Sequence, residues 1–221
     1  SALWHAHEMF FGFGWAMLAG FLLTASKNWV KIRGYHGISL VFLVAAWGFE
    51  RLGMAVGAAW PRPLFLLSNQ LFLVSVVGML LWTLLRHRSR DAYRRDNVFF
   101  LFLLPLFPVA KVLLLDADWS KAGEGMAIGL FRLTFLIMLE RTLTDFMKNA
   151  FQVAILRRPG LDGTIKGLAF ALVFAGFMPP LVRAVIALLL AGLLVGRLAF
   201  WKPQLALRRL DIGVMLLGYG G

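Results

Sequence analysis

The residues best suited to chemistry lie near the start of the chain. His5 and His7, half of the four histidines, are separated by one residue, and the carboxylate of Glu8 and the thioether of Met9 follow directly. The chain has no cysteine to compete for a metal ion that these groups would bind. The segment is therefore a candidate metal site, with His5 and His7 as principal ligands and Met9 and Glu8 as further ones. The alternative interpretation is an anchor at a membrane interface, where aromatic side chains such as Trp4 are enriched.

The local backbone decides which of these ligands act together. On an extended segment His5 and His7 point to the same side, which suits chelation by two imidazoles. On a helix they lie about 200° apart, and His5 shares a face with Met9 instead. A His/Met pair is one that copper(I) or haem iron accepts. The sequence leaves both geometries open.

Charged residues inside apolar segments form a second group of candidates. Glu50, Arg51 and Arg132 lie at similar depths in their predicted helices, so we expect a Glu50–Arg132 ion pair, with Arg51 left to hold an anion such as a haem propionate. Arg51 and Arg132 are therefore the candidate cofactor-binding residues, and a clamp between helices is the alternative. We expect Lys111 to extend outward along its helix towards Asp116 or Asp118.

The elements that carry these residues are transmembrane helices. The 221 residues are 60% hydrophobic and 15% charged, with a mean hydropathy of +0.77, which a small soluble domain cannot accommodate. We therefore predict an all-α, polytopic helix bundle that forms a single integral-membrane domain over residues 1–221, part of a longer chain. About seven spans are expected, near 9–26, 38–59, 64–85, 97–115, 125–147, 165–179 and 182–200, followed by a truncated eighth from Ile212.

Two local features qualify this topology. The sixth and seventh spans are separated only by Met178, Pro179 and Pro180, so they are either two crossings or a re-entrant pair, and the charge pattern favours two crossings. Pro105 and Pro108 each remove a helix hydrogen bond in the fourth span, which predicts a kink there.

Positive charge alternates between loops and predicts the orientation. Of the 23 lysines and arginines, 16 lie in or beside loops 27–37, 86–96, 148–166 and 201–211. They are Lys27, Lys31, Arg33, Arg86, Arg88, Arg90, Arg94, Arg95, Lys148, Arg157, Arg158, Lys166, Arg197, Lys202, Arg208 and Arg209. This basic side is expected to be cytoplasmic, which places residue 1 on the periplasmic side of a bacterial inner membrane. The net charge of +12 is thus assigned to topology and not to nucleic-acid binding.

The remaining histidines lie near the predicted cytoplasmic side. His36, between Gly34 and Gly37, is a further metal-ligand candidate, although about 30 Å of hydrocarbon separates its level from that of His5 and His7. His87 lies among arginines and is expected to be a solvated loop residue.

The run WHAHEMFFGFGWAMLAGFLLTASKNW from Trp4 to Trp29, followed by RGYHG from Arg33 to Gly37, resembles the opening of the NnrS family. These polytopic bacterial membrane proteins are described as haem- and copper-containing and are associated with nitric oxide stress and denitrification. The resemblance continues in outline to Leu217-Gly218-Tyr219, while Leu216 stands where the family commonly has a histidine. It implies haem and copper as cofactors, with metal-binding candidates at His5, His7 and His36.

Three functional hypotheses follow. The first is a haem- and/or copper-binding membrane protein of the nitrogen-oxide stress response, a fragment or a divergent member of the family. The second is a metal-free scaffold or accessory subunit that associates with other membrane proteins or with its own copies. The third is a transporter or channel in which Glu50, Arg51 and Arg132 line a path. An enzymatic reaction is not predicted.

Overall fold

The computed structural model describes residues 2–91, 93–151 and 158–201, together with Gln204 and Val214. All regular structure in this part of the chain is helical, which confirms the predicted all-α fold. Six of its helices are long and apolar enough to cross a membrane, so the chain is a multi-pass membrane protein. These helices cover Leu3–Trp29, Ile38–Ala59, Arg62–Arg86, Asp96–Leu115, Ser120–Thr144 and Pro180–Phe200.

Residues 1–124 form the first of two compact units. Its first span consists of α1 (Ala2–His7), a π-helical segment (Glu8–Gly14) and α2 (Trp15–Trp29). The other helices of this unit are α3 (Ile38–Val56), which ends in a 3-10 turn (Gly57–Ala59), α4 (Arg62–Arg86), α5 (Arg94–Leu103) and α6 (Leu106–Leu115). Helices α5 and α6 are separated at Leu104 and Pro105, where the sequence predicts a kink.

The core of the first unit is apolar and closely packed. Phe11 and Trp15 of the first span are fully buried, as are Leu73 of α4 and Phe107 of α6. Trp15 and Phe107 have ring centroids 4.5 Å apart, a distance typical of interacting aromatic rings. This packing brings the first span, α4 and α6 together and thereby positions the polar residues described below.

Residues 125–221 form the second unit. Helix α7 (Ser120–Phe151) enters it from the first unit, and α8 (Pro159–Val173), a 3-10 turn (Ala175–Phe177) and α9 (Pro180–Phe200) follow. A Cβ atom on Gly129 would lie 2.8 Å from the Cα atom of Val173, so glycine is required for the close approach of α7 to α8. That residues 1–221 form a single integral-membrane domain stays a prediction.

The number of spans differs from the sequence prediction. Six of the seven predicted segments are confirmed, but residues 165–179 fall in α8 and the turn after it. Helix α8 has 15 residues, about 22 Å at 1.5 Å per residue, and is therefore shorter than the roughly 30 Å hydrocarbon layer. The predicted eighth span from Ile212 lies outside the described residues.

Candidate functional site

The candidate site is a buried cluster of polar side chains in the first unit, which we call the His7 cluster. It consists of His7, Glu8, Glu50, Arg51, Asn69 and Lys111, contributed by the first span, α3, α4 and α6. His7, Glu50 and Lys111 are fully buried, and Asn69 is almost so. Every one of these residues lies in a membrane-spanning helix, where polar groups are costly unless they are paired.

The backbone of the first span changes its geometry at this point. His7 ends α1, and the π-helical segment begins at Glu8. Here the N–H of Trp15 donates to the carbonyl of Phe10, five residues back. The indole Nε1 of Trp47 on α3 donates to the carbonyl of Gly12 at 3.2 Å and so links α3 to the π-helical segment. Such segments occur frequently at functional sites, because they displace side chains from the regular helical register.

Two carboxylates and two cations form a continuous chain of ion pairs. Arg51 donates through Nη1 to Oε2 of Glu8 and through Nη2 to Oε1 of Glu50, the latter at 2.6 Å. Lys111 donates from Nζ to the same Oε1 of Glu50 at 2.6 Å, and also to the main-chain carbonyl of Asn69. These four charges cancel, which reduces the cost of placing them in hydrocarbon.

The imidazole of His7 is held at both nitrogens. Its Nδ1 lies 3.3 Å from Oε1 of Glu8, and its Nε2 lies 3.1 Å from the amide Nδ2 of Asn69. Because a carboxylate only accepts, this network assigns the proton to Nδ1, and Nε2 then accepts from the Asn69 amide. The lone pair of Nε2 therefore points into the cluster.

A thioether lies on the other side of the same amide. The Nδ2 atom of Asn69 is 3.3 Å from Sδ of Met54, a residue of α3. One amide nitrogen thus lies between an imidazole nitrogen and a thioether sulfur. The Oδ1 atom of Asn69 and the Oε2 atom of Glu50 are buried and have no hydrogen-bond partner among the described residues. The cluster therefore has buried acceptor atoms that a bound ligand or water would satisfy.

The structure separates the sequence-predicted ligands. The segment is helical, so His5 and His7 do not point to the same side: His7 is buried, whereas His5 and Met9 are exposed. Glu8 is partly buried and contacts His7 and Arg51, as described above. No group of three or more His, Cys, Asp or Glu side chains suited to a metal ion occurs within the described residues.

His36 lies in a different place, a cavity of about 280 Å³ at the far end of the first span. Lys27, Arg33 and His87 line the same cavity. His87, which the sequence predicts to be a solvated loop residue, is partly buried there. Tyr35 fixes the loop by hydrogen bonds of 3.0 Å to the carbonyl of Met79 and to the hydroxyl of Thr83.

One predicted interaction is wrong, and another stays a prediction. Glu50 pairs with Lys111 and Arg51 within the first unit, whereas the expected Glu50–Arg132 pair would join the two units and stays a prediction. Lys111 does not extend outward to Asp116 or Asp118; it is completely buried and turns towards Glu50. Arg51 has both terminal nitrogens engaged by carboxylates.

Three residues of the site were missed by sequence reasoning: Lys111, Asn69 and Met54. Lys111 is a cation inside a strongly apolar helix, and Asn69 with Gln70 interrupts an apolar helix in the same way. Both interruptions were visible as candidates for buried polar contacts. Met54 carries no comparable signal, since a methionine in an apolar helix is most often a packing residue.

The second unit contains a separate buried cluster of charges. Arg197 of α9 lies 2.9 Å from Oε2 of Glu140 on α7 and 3.6 Å from Oδ1 of Asp162 on α8, and Lys166 lies 3.4 Å from Glu140. Glu140 is thus paired with two cations. Lys166 and Arg197 were assigned to the cytoplasmic surface, but both are buried.

The spans and the His7 cluster define the class of protein: a polytopic membrane protein with a charge-balanced, histidine-containing cluster among its membrane-spanning helices. The family model described as "NnrS protein" matches residues 1–221, the whole chain, and the protein belongs to this family. No curated protein and no solved structure matches the chain.

Proposed function

We propose that this protein binds copper, haem or both and acts in the bacterial response to nitric oxide and related nitrogen oxides. Membership in a family described as haem- and copper-containing supports the cofactors and the context. The single observation that carries the proposal is the environment of His7, a fully buried imidazole whose Nδ1 contacts a carboxylate and whose Nε2 faces inward. Metal-binding histidines commonly donate their other ring nitrogen to such a carboxylate.

The donor set fits copper(I) better than haem. His7 and Met54 flank the same atom of Asn69, and imidazole with thioether is a ligand pair suited to copper(I). The Asn69 amide would have to rotate away from the ion, and its Oδ1 has no hydrogen bond among the described residues that would oppose this rotation. A haem propionate at Arg51, by contrast, would have to displace Glu8 or Glu50.

Haem is the second candidate cofactor, and a different face of the first span favours it. His5 and Met9 are exposed and four residues apart in a helix, so a haem group could approach them from outside the unit. Arg132, the other residue predicted to contact a propionate, belongs to the second unit, where it is exposed.

Bound copper(I) would supply a one-electron centre that also takes small ligands such as nitric oxide. The residues around it act before any reaction. Glu8 orients the imidazole and keeps Nε2 unprotonated, and Lys111 and Arg51 neutralise the two carboxylates. The ion-paired arrangement of Glu50 and Arg51 favours a closed binding site over a transport path.

The alternating charge of the loops supports a bacterial inner-membrane location with the His7 end of the first span towards the periplasm. An ion or small molecule would then reach the His7 cluster from the periplasmic side. Lipid surrounds the spans, and other membrane proteins or further copies of the chain are the expected partners, since most of α9 is exposed.

The test measures copper content and affinity of the purified protein in detergent. His7→Ala should abolish copper binding, and Met54→Leu should weaken it by about tenfold or more, because each removes a ligand. His5→Ala, Met9→Leu and His87→Ala are matched controls that should retain copper. Full copper content in His7→Ala, or loss in His5→Ala alone, would overturn the assignment. In the first case the metal-free scaffold becomes the better interpretation.

A further inference from the structure

The second unit contains an apolar groove of about 870 Å³ between α7, α8 and α9. Small residues leave room along it, with Gly129 on α7 and Ala184, Ala187 and Ala191 on one face of α9. Larger apolar residues such as Leu136 and Leu190 form the rest of the walls. The volume is within the range of about 300–1,000 Å³ that is typical of ligand sites.

The only charged side chains lining this groove, within the described part of the chain, are those of Arg132 and Arg183. Both side chains are exposed. Arg132 lies in the middle of the span Ser120–Thr144. A cation at that depth in hydrocarbon is costly unless it is compensated, so an anionic group is expected beside it.

The two arginines line the same groove at neighbouring levels. Gly125 and Gly129 of α7 lie beside Gly176 and Val173, just before α9 begins, so α7 and α9 start at the same end of the unit. Arg183 lies about 4.5 Å along α9 from Pro180, and Arg132 lies about 18 Å along α7 from Ser120. The Cα levels of the two arginines therefore differ by at most about 13 Å along the helices, a separation that two extended arginine side chains with a phosphate between them can span.

We propose that this groove binds an anionic phospholipid, with its phosphate between Arg132 and Arg183 and one acyl chain along the small-residue face of α9. Charge complementarity selects an anion, and the apolar walls select a hydrocarbon tail. Helix α9 exposes most of its surface, for example 74% of Leu188, so a lipid can enter sideways from the bilayer. The lining contains no His, Met, Cys or Tyr, the side chains that ligate haem iron, and therefore favours a lipid over haem.

The experiment compares retention of two lipids on the purified protein by native mass spectrometry and by thermal stabilisation. The probes are phosphatidylglycerol, which is anionic, and phosphatidylcholine, which is zwitterionic. The unchanged protein should prefer phosphatidylglycerol. Arg132→Gln and Arg183→Gln should each lower this preference by about fivefold, the effect expected for one arginine near an anionic lipid. Arg62→Gln, an exposed arginine at the start of α4, is the matched control and should leave the preference unchanged.

A second pair of variants tests the tail. Ala187→Trp places a large side chain inside the groove and should reduce retention of both lipids. Leu188→Trp places the same side chain on the exposed face of α9, outside the lining, and should not reduce retention.

An unchanged lipid preference in the Arg132→Gln/Arg183→Gln double variant would overturn the proposal. So would a haem absorption spectrum that changes in this variant while lipid retention stays constant. Copper binding at His7 does not enter either measurement, so the two proposals fail independently.

Discussion

Each of the two units buries a carboxylate between two cations, yet the surroundings of the two carboxylates differ. Glu50 lies between Lys111 and Arg51, and Glu140 lies between Lys166 and Arg197. In the second unit Asp162 completes the group by pairing with Arg197. In the first unit the imidazole of His7, the amide of Asn69 and the thioether of Met54 adjoin the ion pairs. The group also lies beside the π-helical segment.

This difference separates a structural from a functional use of buried charge. Ion pairs that neutralise one another suffice to join helices in lipid, and the Glu140 group needs no further role. The His7 cluster has more polar groups than such a clamp requires, because His7, Asn69 and Met54 accompany the four charged side chains. The His7 cluster is also more exposed than the Glu140 group, because Glu8 and Arg51 keep 24% and 21% of their side-chain surface exposed.

The largest expected effect is that of Glu50→Gln. It leaves Lys111 completely buried without its carboxylate, and removing one partner of a buried pair typically costs about 3–5 kcal/mol. The measurement is the free energy of unfolding in mixed micelles. Glu124→Gln, an exposed carboxylate, is the control and should change little.

A double-mutant cycle sharpens this prediction. Adding Lys111→Met to Glu50→Gln removes the unpaired charge and should recover part of the lost stability. Strictly additive losses in the double variant would mean that the Glu50–Lys111 pair does not contribute as the geometry indicates.

Glu140→Gln should destabilise the second unit for the same physical reason, with a somewhat smaller loss of about 3 kcal/mol because Asp162 remains near Arg197. If the Glu140 group only joins helices, the folded fraction of this variant should keep its full copper affinity. Copper titration of the monodisperse fraction measures this directly. Loss of copper binding in Glu140→Gln would show that the second unit is not merely structural.

Much of the fold follows from the sequence because hydropathy is a local property. An apolar run of about 20 residues predicts a span wherever it packs, and six spans were found in this way. The run at 165–179 was misleading, since α8 begins earlier, at Pro159, and ends at Val173. Hydropathy records the apolar character of a segment but not the length of its helix.

The site was predicted less completely because its contacts join distant parts of the chain. The importance of His7 and Glu8 follows from their unusual types at the start of a span. The partnership of Glu50 with Lys111 depends on which helices are neighbours and on how each is rotated about its axis. Depth alone allowed Arg132 as well, so the sequence could not distinguish the two.

Glu8→Gln tests whether the carboxylate orients the imidazole. Loss of a partner of this kind typically lowers metal affinity by about 10–100-fold, while most of the fold should persist because Glu8 is partly exposed. Isothermal titration with copper(I) gives the affinity, and circular dichroism checks the helix content. An affinity equal to that of the unchanged protein would remove Glu8 from the site and leave it an ion-pair partner of Arg51 only.

The smallest effect concerns the glycine that allows the cluster to close. A Cβ atom on Gly12 would collide with Nη1 of Arg51 and lie 2.8 Å from the carboxylate of Glu8, so Gly12→Ala forces these two side chains to move. We expect a loss of about 1–3 kcal/mol in stability, as for other overpacked sites, together with weaker copper binding. Gly20→Ala is a matched control in the same span, because its Cβ would meet nothing within 4 Å, and it should be neutral or stabilising by about 0.5–1 kcal/mol. If both variants behave alike, the close approach of Arg51 to the first span is not required, and the difference between the two units rests on His7 and Met54 alone.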